Sequence, residues 1–118
     1  MSKEKIFIFD TTLRDGAQTE GVDFSLEDKK KIATLLSEIG IDYIEGGWPG
    51  ANPVDTEFFS KPLKLNKSIF TAFGMTKKSG RSVENDPSLS SLINASCPAI
   101  CVVGKSWDFH VKTALGIK

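Results

Sequence analysis

The sequence contains a single histidine, His110, and two cysteines, Cys97 and Cys101. Pro98-Ala99-Ile100 separates the cysteines, so they lack the CxxC spacing of a redox or zinc motif. Cys101 lies in an apolar run and reads as a small core residue. Neither sign of charge is in excess: 15 Lys+Arg balance 15 Asp+Glu. That balance gives no electrostatic reason to expect nucleic acid or an anionic membrane as partner. Long hydrophobic runs are missing too. The start, Met1 to Lys5, leads into only four apolar residues, too few for a signal-peptide core or a membrane span. A cytoplasmic protein is therefore expected. The loop after the first apolar run has no GxGxxG, which leaves a dinucleotide-binding reading unsupported.

The residues present describe an ordinary globular chain, 40% hydrophobic and 25% charged. Ile6-Phe7-Ile8-Phe9 reads as a strand buried on both faces, as in parallel sheets. A helix follows. Ser25 and Asp28 fit a capping box, Ile32, Leu35, Leu36 and Ile39 form an apolar stripe, and Gly40 supplies the stop. Lys29, Lys30 and Lys31 fall mostly off that stripe and read as a solvated face. Ile41 to Glu45 is a second strand. Asn52-Pro53 opens a short helix, with Asp55 and Glu57 suited to its positive end, Phe58, Phe59 and Leu63 on its apolar side, and Pro62 limiting its length. Ser68 to Phe73 is a third strand. Asp86-Pro87 opens a third helix carrying Leu89, Leu92 and Ile93, and Ala99 to Val103 is a fourth strand.

The order β-α-β-α-β-α-β implies right-handed crossovers and a parallel sheet. Periodicity leaves two architectures open, an open doubly wound sheet or part of a barrel. The polar residues gather at strand ends: Asp10, Arg14, Asp15 and Gln18 after the first, Glu45 closing the second, Thr76 after the third, and Lys105, Asp108 and His110 after the fourth. In a parallel α/β fold these positions share the face where ligands bind. Asp10, Asp15 and Glu45 brought together would repel one another unless a cation joined them. Oxygen donors suit Mg²⁺ or Mn²⁺, and Zn²⁺ if imidazoles take part. Arg14 beside them suits a substrate carboxylate or an enolate oxygen. The plainer readings are Asp10 as a turn former, Arg14-Asp15 as a surface pair, Glu45 as a helix cap, Trp48 as packing and His110 as a structural hydrogen-bonder.

Asp10-Thr11-Thr12-Leu13-Arg14-Asp15-Gly16-Ala17-Gln18 resembles the first-strand signature of the 2-isopropylmalate, homocitrate and citramalate synthase family, whose superfamily includes 3-hydroxy-3-methylglutaryl-CoA lyase. Ile44-Glu45-Gly46-Gly47-Trp48-Pro49 resembles its second strand. The stretch from Gly47 through Asn52-Pro53 to Phe59, and Gly104 to His110, are most similar to the citramalate-synthase branch. The resemblance runs from Ile6 to Gly116. It implies a (β/α)₈ barrel, a fold of ~250 residues and rarely under ~200. The 118 residues would then be the N-terminal half of a pyruvate carboxyltransferase-like TIM barrel, about four parallel strands with three intervening helices, truncated after the fourth strand.

The resemblance also implies a chemistry. A 2-oxo acid, pyruvate in the citramalate branch, binds a divalent metal (Mg, Mn or Zn) acting as Lewis acid, and the enolate of acetyl-CoA attacks its keto carbon. Carried over by position, Asp15 is the first metal ligand, Arg14 stabilises the enolate or polarised oxygen, and Glu45 is the active-site glutamate. Gln18 and His110 contact substrate. The family's enzymes are expected to be homodimers. One feature departs from the pattern: the family's other metal ligands are a His-x-His pair on a late strand, and this sequence has only His110. The chain alone is expected to be inactive. The competing expectations are 2-isopropylmalate synthase, a lyase of the same superfamily, and a non-catalytic half-barrel that pairs with another fragment or with itself.

Overall fold

The computed structural model describes residues 3–117. Four parallel strands, β1 (Phe9–Asp10), β2 (Tyr43–Gly47), β3 (Ile69–Met75) and β4 (Ala99–Val103), form one sheet in the order β1-β2-β3-β4. Helices α1 (Leu26–Glu38), α2 (Pro53–Phe58) and α3 (Pro87–Ile93) make the crossovers. Each strand lies beside its predecessor, and the order never reverses. A doubly wound sheet requires such a reversal; a barrel wall does not. The chain is therefore an α/β half-barrel.

Short-range chemistry sets the helix starts. The Ser25 hydroxyl accepts the Asp28 N–H at 3.1 Å and the Asp28 carboxylate accepts the Ser25 N–H at 2.9 Å, completing the capping box. Asn52 accepts from the Asp55 N–H at 2.8 Å with Pro53 in the first turn, and Asp86 repeats the device toward Ser88 and Leu89 ahead of Pro87. After α1, Gly40 turns the chain at φ 96°, a conformation that costs glycine nothing.

The core lies between the sheet and its helices. Ile44, Phe70 and Ala72 project from β2 and β3 against Ala33, Phe58, Phe59 and Leu92. Phe59 stacks on Phe70 at 4.7 Å, and Phe58 meets Phe70 edge-on at 4.9 Å.

Three expectations change. Ile6 to Phe9 was expected to be a strand buried on both faces, yet the ladder holds only Phe9 and Asp10, and Ile6 and Phe7 are 82% and 56% exposed. The reason is position: β1 is an edge strand, paired only with β2 among the described residues. In α1, Leu35 and Ile39 face outward, and the buried row is Lys29, Ala33 and Ser37. Small residues at 33 and 37 let the helix sit close to the sheet, and Lys29 enters the interior rather than solvent. Finally, α4 (Asp108–Ala114), which the sequence pattern did not signal, follows β4.

Candidate active site at the carboxyl ends of the strands

The loop after β1 turns tightly because the Thr11 carbonyl accepts N–H groups from Arg14, Asp15 and Gly16, at 3.2, 2.8 and 3.2 Å. Leu13, fully buried, plugs into the core and fixes the loop. Arg14 then projects over the opposite face of the sheet. Its Nε donates to Glu45 Oε1, its Nη1 lies 3.5 Å from Asp15 Oδ1, and its Cζ sits 4.1 Å from the centre of the Phe73 ring. The guanidinium is thus oriented by a carboxylate in its plane and an aromatic face beneath it. Trp48 meets Phe73 edge-on at 5.2 Å and closes the group.

Alternation along the strands explains why these side chains meet. Glu45 pairs with Thr71, Phe73 stands two residues beyond Thr71, and Phe73 pairs with Cys101. All four therefore share the face opposite the helix-packed core. Glu45 is almost completely buried, and Arg14 is its countercharge. Burial pushes the Cys101 thiol up, and the Glu45 charge and a hydrogen bond to Glu45 push it further, against an opposing effect of Arg14. Cys101 is only half-buried and borders the ion pair, rather than being the plain core residue expected.

An open cleft of ≈ 350 Å³ adjoins the group, with Arg14, Gln18, Asp23, Lys29, Trp48 and Asp55 among its walls. Arg14 and Gln18 therefore come together as expected, with Glu45 behind Arg14 and Asp15 exposed at its side. His110 lies elsewhere, on α4, against Trp107 at 4.5 Å. The other strand-end residues stay apart as well. The Thr76 N–H donates to the Val103 carbonyl, Lys105 is exposed, and Asp108 pairs with Lys112 at 3.8 Å.

The expected acidic cluster does not form. Asp10 accepts from the Thr12 N–H at 2.9 Å and the Thr12 hydroxyl at 3.0 Å, making it the turn former, and Glu45 is committed to Arg14. Arg14 itself relieves the carboxylate repulsion. Among the described residues no group of three or more His, Cys, Asp or Glu side chains is placed to hold a metal ion. Among the described residues no helix is long and apolar enough to cross a membrane.

Lys29 is the residue that the sequence pattern missed. Its ammonium donates to the Leu13 carbonyl at 2.8 Å, the Gly46 carbonyl at 2.9 Å and Asp55 Oδ1 at 2.5 Å, at 3% side-chain exposure. Asp55, read as a helix-dipole residue, takes Lys29 on one oxygen and the Trp48 N–H at 2.9 Å on the other. The one sequence signal was spacing, since Lys29 stands four and eight residues before the small residues Ala33 and Ser37.

The chain is 55% identical over 114 residues to the (R)-citramalate synthase of Aquifex aeolicus, covering 95% of this chain and 22% of that protein. It is 49% identical to the (R)-citramalate synthase of Sulfolobus acidocaldarius, covering 99% and 23%. A more distant relative, the 2-isopropylmalate synthase of Sulfurisphaera tokodaii, is 36% identical, covering 98% and 28%. The chain thus spans about a fifth of the length of the citramalate synthases it matches. The HMGL-like family model matches residues 5–117, and the chain belongs to the HMGL-like family.

Proposed function

We propose that the chain supplies the β1–β4 wall of an (R)-citramalate synthase-type acyltransferase that condenses acetyl-CoA with pyruvate. In that reaction the acetyl methyl carbon loses a proton and bonds to the keto carbon of pyruvate, the keto oxygen gains a proton, and water cleaves the thioester to release CoA. The observation that carries the reading is Arg14, held between Glu45 and Phe73 at the carboxyl ends of the strands with the cleft beside it. The choice of the citramalate branch rests on 55% and 49% identity against 36% for the isopropylmalate synthase, and on the Trp48-Pro49 pair.

Arg14 has the N–H donors to grip a carboxylate or the oxygen on which negative charge develops. Glu45 fixes the plane of that guanidinium, and Gln18 offers an amide from the cleft wall. Asp15 is the residue this chain would offer to the family's divalent metal. The described side chains do not by themselves fit a complete metal site. His110, on α4 beside Trp107 and apart from that cleft, is the residue this wall would offer to substrate from the β4 end. Homodimerisation and a cytoplasmic location belong to the same reading.

The test is a chimera in which this chain replaces the matching segment of the Aquifex aeolicus enzyme, assayed by CoA thiol release. Pyruvate-dependent turnover is expected. A chimera that prefers a branched 2-oxo acid, or turns over neither, contradicts the proposal. The 118-residue chain alone is expected to form no citramalate from pyruvate and acetyl-CoA.

A further inference from the structure

We propose that Lys29 and Asp55, buried where α1 and α2 meet the carboxyl end of β2 at the wall of the cleft, are positioning residues that hold Arg14 and Glu45 in register. The carbonyls that Lys29 grips belong to Leu13 and Gly46, the residue just before Arg14 and the residue just after Glu45. One ammonium therefore ties together the two backbone segments that carry the ion pair. All three of its protons are used, two on carbonyls and one on Asp55, so its geometry is fully determined.

The ladder explains why a clamp is needed at this point. Glu45 pairs with Thr71 and Gly47 with Ala72, so Gly46 is an extra residue, a bulge beside the site. A bulge interrupts regular pairing, and the Gly46 carbonyl takes its hydrogen bond from Lys29. Asp55 secures the other side by accepting the Trp48 N–H. The fit is close: a Cβ on Gly47 would lie 2.5 Å from the Asp55 carboxyl carbon.

An apolar pair at positions 29 and 55 would fill similar space without the desolvation that a buried ion pair suffers, and such a double replacement often costs no stability. It could not bridge two carbonyls. The Lys29–Asp55 pair is neutral overall and leaves the Arg14–Glu45 charge balance undisturbed, so its effect on the site is geometric. The catalytic meaning of that effect rests on the function proposed above; the geometry does not.

The experiment is ¹H–¹⁵N NMR of the Arg14 Nε–H in the full chain, assigned with Arg14→Lys and compared with exposed Arg81, the other arginine of the sequence. The Arg14 signal is expected to exchange slowly because it is bonded to Glu45. In Lys29→Met and in Asp55→Asn its exchange is expected to rise about tenfold while the backbone amide dispersion is kept. Lys30→Met, at the exposed neighbouring position, is expected to change nothing. Unchanged exchange in both pair variants overturns the proposal, as does an equal effect of Lys30→Met. Loss of amide dispersion in both pair variants also overturns it, because the pair would then hold the fold rather than the site. No turnover enters this measurement, so an inactive chimera would defeat the functional reading and leave the positioning result standing.

Discussion

The middle of the sheet and its flanks behave differently although their sequences look alike. In β2 and β3, Ile44, Phe70 and Ala72 are wholly or almost wholly buried under α1, α2 and α3. At the flanks, equally apolar residues stay in contact with solvent: Ile8 and Phe9 at β1, and Ile100, Val102 and Val103 in β4, at 41–53% exposure. A strand with neighbours on both sides and a helix above it is completed by this chain. A strand with one neighbour presents an unpaired edge and an apolar face, a surface that favours association with another copy or another chain. The candidate site sits at the junction, with Glu45 in the closed middle and Arg14 reaching in from the open flank.

The largest effect that can break this comparison is in the core. Phe70→Ala removes the ring that Phe58 and Phe59 pack against and is expected to lower stability by about 3–5 kcal/mol. Val102→Ala on the flank is expected to stay within about 0.5 kcal/mol. Urea unfolding of the two variants checks this, and equal losses would show that the flanks are packed as tightly as the middle.

A smaller effect concerns Asp86, whose carboxyl is held below its usual range, first by the Lys78 N–H and then by the Leu89 and Ser88 N–H groups, with Arg81 adding charge attraction. A carboxyl with a lowered folded-state value stabilises the fold above its unfolded value, about 3.9, and loses that contribution as pH falls through the folded value. Urea midpoints are therefore expected to drop below about pH 4 in the wild type and to drop less in Asp86→Asn.

The smallest effect is local to the site. Burial raises the Cys101 thiol, and Glu45 raises it further. Glu45→Gln removes that charge, so more thiolate forms at pH 8 and alkylation of Cys101 accelerates. Cys97, raised by burial alone against two backbone hydrogen bonds, is expected to keep its rate. Mass spectrometry of both cysteines supplies the comparison.

What was legible in the sequence was what depends on near neighbours. The caps at Ser25, Asn52 and Asp86 reach only two or three residues along the chain, and all three formed. The strand ends brought Arg14 and Glu45 to one place because parallel strands must present their carboxyl ends together. The sheet order, the exposure of Ile6 to Phe9 and the burial of Lys29 were not legible. Each depends on partners far apart in sequence: Lys29 is buried only because acceptors at 13, 46 and 55 converge on it. A three-carboxylate cluster was the wrong inference, because Asp10 had a local partner in Thr12 and Glu45 a better one in Arg14.

We propose that Arg14, fixed by Glu45, is the working cation of this wall. In the Aquifex chimera, Arg14→Ala is expected to lower pyruvate-dependent CoA release by about 10²–10³-fold in kcat, with the protein still folded. A loss of less than about threefold would contradict that role, because removing a guanidinium that meets developing charge costs far more.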